Sequence, residues 1–268
     1  MSELRYVDLG RQAYQPTLRL QRRLVRRVQA EDPQMAYLLM VEHDPPAITL
    51  GRRGRAEDVL VSPEALAGKG LEVCRVRRGG GVTWHGPGQL VVYPILSLRC
   101  LRRPLHRYVH ELEETLIWML ARFSITARRR HGFAGVWVGQ EKIAAIGLAV
   151  DRWVCYHGFA LNVCPDLAWF DVIVPCGPAR GPGGLGGCRM TSMARLLGRA
   201  VQVAEVKSPL LECLGEALGM QIVAAEAAEL GADDREPPHA DRTQAPRLAQ
   251  EAAAALPAHP LGAGRPGR

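Results

Sequence analysis

The chain has no apolar stretch near 18 residues, no Cys-x-x-Cys pair and few aromatic residues, and each absence removes a class of protein. Without a long apolar stretch, no membrane span is expected. Residues 1–14 carry no apolar core of the kind a secretory leader needs, so a cytoplasmic protein is the expectation. Seven cysteines, an odd number, read as reduced thiols rather than a disulfide framework. The absence of Cys-x-x-Cys spacing weakens a zinc reading; no metal and no cofactor is expected. Aromatics make up 6% of the chain, so platforms for stacking on bases are scarce. The net charge of +7 is therefore not read as nucleic-acid binding. The arginines fall in short scattered clusters, at 22–23, 26–27, 102–103 and 128–130. Such a surface suits an acidic protein partner, since opposite potentials steer encounter. Lysine is scarcer still. Of 34 basic residues only Lys69, Lys142 and Lys207 are lysines. A lysine kept among arginines can lose its proton where arginine cannot.

A chain of 268 residues with 47% hydrophobic content supports one sizeable domain, expected over residues 1–231. Beyond it, residues 232–268 are rich in Pro, Ala, Arg and Gly and read as a disordered tail, with a loosely attached helix at 248–256 as the alternative. Helical spacing is visible over 19–28 and 108–123. Apolar runs at 35–41, 47–50, 73–76 and 90–98 read as strands or strand cores. Segments 134–138, 142–150 and 154–162, separated by turn residues, predict an antiparallel meander. An apolar strand is expected to end at Pro175-Cys176-Gly177. Helices are expected from Thr191 or Ser192, both good N-caps, and over 204–218. This irregular order of strands and helices argues for an α+β fold.

Chemistry concentrates at a few places. Residues 78–94, RGGGVTWHGPGQLVVYP, hold three consecutive glycines that let backbone approach a ligand, with His85 delivered into the turn. Among the cysteines Cys176 stands apart, at a strand end beside a flexible loop. It reads either as a nucleophile or as a small buried hydrophobe. Lys142 opens the apolar run IAAIGLAV. It is either a snorkelling turn lysine or a cation set beside a thiol to lower its pKa. His43 is expected in a supporting structural role, and His157 stands in a second special setting.

These segments together resemble the octanoyltransferases of lipoate synthesis. VEHDPPAITLGRRG (41–54) is similar to that family's EH-P-x-x-T-x-G-R-R segment, and 78–94 to its RGG-x-x-T-W/F-HGPGQL-x-x-YP signature. GVW at 135, KIAAIGL at 142, HGFALN at 157 and IVPCG at 173 follow in the family's order. The resemblance runs over residues 4–220. It implies a fold shared with biotin and lipoate ligases: a mixed β-sheet flanked by helices, with a smaller second sheet. It implies transfer of octanoyl from octanoyl-acyl carrier protein to a lysine of a lipoyl domain. That acceptor is carried by 2-oxoacid dehydrogenase E2 subunits or by the glycine cleavage H protein. By resemblance Cys176 is the nucleophile and Lys142 lowers its pKa; a monomer is the expectation. Substrate contacts are implied for Arg78, Gly79, Gly80, Gly81, Val82, Thr83, Trp84 and His85. They are also implied for Ala145, Ile146 and Gly147, and for Gly158, Phe159 and Ala160. Ile146 and Phe159 are expected to supply apolar wall.

Two departures stand out. The loop after Cys176 is longer than the family's usual link, which makes Cys188 a candidate disulfide partner for Cys176, and MTSM (190–193) stands where the family has a VTSL-like segment. Two rival readings stay open: an ATP-dependent lipoate or biotin ligase, and a non-catalytic basic binding module.

Overall fold

A computed structural model describes residues 3–68, 70–175 and 188–230. The expected tail with its alternative helix, Cys176 and the rest of the loop to 187, and the proposed pairing with Cys188, lie outside the described residues. The chain opens with β1 (Glu3–Gln12), α1 (Tyr14–Ala30), β2 (Tyr37–His43) and β3 (Ala47–Leu50). A short α2 (Pro63–Gly68), β4 (Glu72–Arg75), β5 (Val82–His85), β6 (Gln89–Ser97) and α3 (Leu105–Ala121) follow. Then come β7 (Arg128–Arg130), β8 (Phe133–Val138), β9 (Glu141–Asp151) and β10 (Val154–Asn162). The last elements are α4 (Met193–Leu197), α5 (Val203–Leu218) and β11 (Gln221–Ala224).

Eight strands form one sheet, in the order β11-β1-β2-β6-β10-β9-β8-β7. β1 runs parallel to both of its neighbours, and the other pairings are antiparallel, so the sheet is mixed as expected. A second sheet, β4-β3-β5, stands beside it. The β8–β9–β10 meander is the one the turn residues predict.

Every residue of β6 and β10 is buried. The cause is a three-layer arrangement. α3 and α5 pack on one face through Tyr108, Leu112, Leu116, Leu210 and Leu214, in a cluster with Leu90, Val92, Phe159 and Leu161. α1 covers part of the other face, where Leu24, Val25 and Val28 meet Leu39, Val91 and Tyr93. Strands covered on both faces need no polar alternation, which is why 90–98 reads as a continuous apolar run. Leu112 is fully buried, and its truncation to alanine is expected to cost about 2–5 kcal/mol.

One sequence expectation is corrected, and two strands lie outside any expectation. The approach to Pro175 is not a strand: Leu167–Val172 is a 3-10 turn, begun by the Asp166 carboxylate, which accepts from the Ala168 N–H at 3.0 Å. Ile173 adds only a single antiparallel bridge to Val59. β1 and β11 were not foreseen, because β1 mixes charged and apolar residues without a clean period and β11 is only four residues long. The Ser192 cap of α4 is as expected, its Oγ accepting from the Arg195 N–H at 3.3 Å.

Candidate active site

A cavity of about 330 Å³ opens between the glycine-rich loop and the large sheet. Its floor follows from strand register. Ala145 pairs with Ala160 and Gly147 with Gly158, and alternation puts all four on one face. Val91, opposite Ala160, extends that face onto β6. Small residues here leave room above the sheet for a ligand. The glycines are required by close approach. A Cβ on Gly147 would lie 2.9 Å from the Gly79 carbonyl oxygen and 3.1 Å from Arg78 Cδ. On Gly158 it would lie 2.0 Å from the Val92 carbonyl oxygen.

The loop of residues 78–81 is held in place from two sides. The Gly51, Arg52 and Arg53 N–H groups donate to the carbonyls of Gly81, Arg78 and Gly80, each at 3.0 Å. On the other side the Gly79 N–H donates to the Leu148 carbonyl at 2.8 Å. The GRR segment of the sequence is thus a buttress for the glycines. Arg78 itself is buried and lies over Gly147. It donates to the Thr49 carbonyl at 2.8 Å, to Thr49 Oγ1 at 2.8 and 3.2 Å, and to the Gly79 carbonyl at 3.1 Å. Burial pulls its pKa down, but a guanidinium remains a cation in a protein.

Lys142 lines the same cavity and is only 8% exposed. Its Nζ donates to the Ala134 carbonyl at 3.2 Å and lies 4.8 Å from the centre of the Trp137 ring. Burial pulls its pKa down to about 8. The Glu113 carboxylate opposes that shift and Arg130 adds to it. Glu113 is itself held by the Gly135 N–H at 3.0 Å and pairs with Arg129 at 3.3 Å. The backbone of Lys142 is tied to the segment after the long loop: its N–H donates to the Arg189 carbonyl, and Thr191 N–H donates to its carbonyl. Pro175 and Met190 line the cavity beside it. Cys188 N–H donates to the Pro175 carbonyl at 3.2 Å, closing the base of that loop.

Away from Lys142 the cavity is bounded by Tyr14, His85, Tyr93 and His157 with Arg78. Tyr14 stacks on His85 at 5.9 Å. His43 Nε2 contacts the Tyr93 hydroxyl at 2.7 Å, and His43 Nδ1 the Gln12 carbonyl at 3.0 Å. Its place is behind the cavity wall, in support of Tyr93. His85 Nδ1 contacts Gln89 Oε1 at 2.8 Å. Burial pushes all three histidines down, His43 to about 4, His157 to about 3 and His85 well below its ordinary value. They are neutral at pH 7.

Of the residues implicated from sequence, Arg78 to Thr83, His85, Ala145 to Gly147, Gly158 to Ala160 and Lys142 line this one cavity. Trp84 is not among its lining residues. On β5 it stacks on Trp169 at 6.1 Å and packs edge-on to Phe170, inside the core of the small sheet. Ile146 and Phe159 belong to the opposite face from the small-residue floor, towards Leu105 and Val109 of α3, where the cavity wraps round β9. Sequence reasoning missed Tyr14 and Glu113, and it gave no role to Thr49, although Thr49 is the threonine of the 41–54 segment. Tyr14 and Glu113 are brought in by folding from helices with no local signal of their own. Among the described residues no group of three or more His, Cys, Asp or Glu could hold a metal ion. Nor is any described helix long and apolar enough to cross a membrane.

The chain matches the family described as the lipoyl protein ligase A/B catalytic domain over residues 13–215. It is 48% identical to the octanoyltransferase of Syntrophobacter fumaroxidans, over 75% of this chain and 84% of that one. It is 43% identical to the octanoyltransferase of Desulfovibrio desulfuricans, over 76% and 83%. Among solved structures it resembles a lipoate-protein ligase A bound with ATP, with a TM-score of 0.67 at 15% identity, covering 93% of this chain and 94% of that one. It also resembles the bi-partite lipoate protein ligase of Thermoplasma acidophilum, with a TM-score of 0.65 at 16% identity, covering 94% and 93%.

Proposed function

Because the chain belongs to the octanoyltransferases of the lipoyl protein ligase A/B catalytic family, we propose that it moves an octanoyl group by way of a Cys176 thioester, with Lys142 as its proton-transfer partner. The donor is octanoyl-acyl carrier protein and the acceptor is a lysine of a lipoyl domain. The observation that carries this reading is Lys142: a buried lysine, with a pKa near 8, in a cavity floored by alanine and glycine.

The steps follow from that lysine. As an ammonium it stabilises the Cys176 thiolate. The thiolate attacks the donor's thioester carbonyl. A new C–S bond forms to Cys176 as the donor's C–S bond breaks, and the carrier leaves as a thiolate. Acylation removes the negative charge that favoured the ammonium, so the Lys142 pKa falls further and it gives up its proton to the departing thiolate. The acceptor amine then attacks the enzyme thioester, and neutral Lys142 takes the proton the amine must lose. The amide forms and the Cys176 thiolate is released beside a regenerated ammonium. The donor is already activated, so the reaction needs no ATP and no cofactor. Basic residues near this end, Arg130 among them, suit acidic carrier and lipoyl domains. The enzyme acts as a monomer in the cytoplasm on this reading.

Intact-mass measurement with peptide mapping tests it. After mixing with octanoyl-acyl carrier protein, the chain is expected to gain one octanoyl group, on Cys176, and to lose it when a lipoyl domain is added. Full transfer activity in a Cys176→Ser variant, or a requirement for ATP and free octanoate, would overturn the covalent reading.

A further inference from the structure

Helix α3 carries two buried glutamates, Glu111 and Glu113, and they are held differently. Glu111 is paired with Arg103 and Arg107. Glu113 meets Arg129 at 3.3 Å, but Arg129 also pairs with Glu114 and donates to the His110 carbonyl. A buried carboxylate is costly unless its oxygens are bonded. The remaining bond of Glu113 leads into the site. Its Oε1 accepts from the Gly135 N–H at 3.0 Å. The same peptide unit presents the Ala134 carbonyl, which accepts from Lys142 Nζ at 3.2 Å. One peptide thus stands between the carboxylate and the ammonium, bonded to both.

The backbone there is shaped for this contact. Gly135 has a φ of 123°, a conformation that favours glycine. A Cβ at that position would collide with the Ala144 carbonyl oxygen and touch Lys142 Cε at 3.4 Å. The β8–β9 register also shifts between Val136 and Trp137, beside the Trp137–Lys142 pair. Such an irregularity re-aims the groups next to it. The two hydrogen bonds and the amide between them keep the carboxylate and the ammonium within about 9 Å. Arg130 of β7 acts on Lys142 as well, and Arg129 of β7 and His110 of α3 act on Glu113. Glu141 and Arg189 flank the Lys142 backbone, and Glu141 is paired with Arg195. Of the described groups that act on Lys142, Arg130 disfavours its charge and Glu113 favours it.

We infer that Glu113 is a positioning residue for Lys142: through the Ala134–Gly135 peptide it aims the ammonium and keeps it charged until Cys176 is acylated. The inference rests on the transferase reading above, in which that ammonium stabilises one thiolate and protonates another. Glu113 itself touches no reacting atom. A carboxylate in direct contact with the lysine would hold the proton too firmly for transfer. Set one peptide away, it biases the lysine without capturing it.

The scarcity of lysine makes a direct test practical. With Lys69, Lys142 and Lys207 the only lysines, carbon-13 labelling gives three Cε signals, and Lys142→Met assigns one of them. In a Cys176→Ser background, which removes the thiolate, that signal follows the titration of Lys142. Glu113→Gln keeps an acceptor for the Gly135 N–H and removes the charge. The Lys142 midpoint is expected to move to lower pH by at least about 0.5, and Glu113→Asp, which keeps the charge, to restore part of the shift. With Cys176 present, Glu113→Gln should move the pH profile of transfer from acyl-enzyme to lipoyl domain the same way. A glutamate that serves only the fold would move neither. An unmoved midpoint would overturn the inference and leave the transferase reading standing. A shifted midpoint with no acyl-enzyme in the wild type would overturn the transferase reading, and the part of Glu113 in the reaction with it. If Glu113→Gln fails to fold, the Lys142 signal with Glu113 in place decides. A second inflection at acid pH, as Glu113 takes up a proton, supports the link, and its absence overturns it.

Discussion

Two buried cations line one cavity, and they are built for different work. Lys142 and Arg78 are equally buried, each 8% exposed. Arg78 spends its guanidinium on four hydrogen-bond contacts to Thr49 and Gly79 that hold the glycine loop over Gly147. Lys142 has a single carbonyl and the face of an indole ring. The well-bonded cation keeps its proton because arginine has no accessible neutral form. The poorly bonded one is pulled down to about 8, into the range where a proton can be handed over and recovered. Equal burial thus yields architecture at Arg78 and, on the proposed mechanism, proton transfer at Lys142, and the residue type and the number of donors satisfied decide which.

The largest effect that would sharpen this contrast is on activity. Lys142→Met preserves side-chain length and removes the ammonium, and octanoyl transfer is expected to fall at least about 100-fold. A fall below tenfold, with the fold intact by circular dichroism, would end the division of labour.

The next effect is on stability against pH. Lys142 has its folded pKa lowered from 10.5 to about 8. Between those values the unfolded chain binds more protons than the folded one, so stability rises with pH through that window. In a Cys176→Ser background, where no thiolate can hold the ammonium, the gain from pH 8 to 10.5 is expected to be about 3 kcal/mol. It should be absent when Lys142→Met is added, as read by denaturant midpoints at each pH. A gain unchanged by the second substitution would assign it to other groups.

Arg78→Met should act first on stability. It leaves the Thr49 carbonyl and hydroxyl without their donor, at a cost of about 2 kcal/mol. A loss of activity with no loss of stability would break the comparison from the other side. The smallest effect is expected at the floor. Gly147→Ala brings a Cβ to 2.9 Å from the Gly79 oxygen, and the strain should cost about 1 kcal/mol and slow octanoyl transfer more than transfer of a shorter acyl group.

Much of this was legible in the sequence, and for identifiable reasons. The meander could be read from its turns, and helices α1 and α3 from their apolar spacing, because each is specified within a dozen residues. The runs at 78–85, 142–147 and 157–160 pointed to one site through their resemblance to the octanoyltransferase segments; read one by one, the glycines, histidines and lone lysine left structural alternatives open. What escaped was set by contact across the chain. Glu113 matters only because the chain folds the Gly135 N–H onto its carboxylate, from 22 residues away. The polar wall of the cavity joins Tyr93 and His157, both inside quoted runs, to Tyr14 of α1, which has no motif of its own. Trp84 sits inside the most recognisable run, yet β5 alternation sends it into the small-sheet core, towards Phe170. The approach to Pro175 looked like a strand because its residues are apolar, but the Asp166 cap diverts it into a 3-10 turn.

The most direct test of the two-cation account is a two-step measurement on Lys142→Arg. The variant keeps a cation at that end and loses the removable proton. Acyl-enzyme should form from octanoyl-acyl carrier protein at close to the wild-type rate, then persist when a lipoyl domain is added, with transfer to the amine slowed at least tenfold. Wild-type rates for both steps would contradict the assignment of Lys142 as the group that accepts the proton.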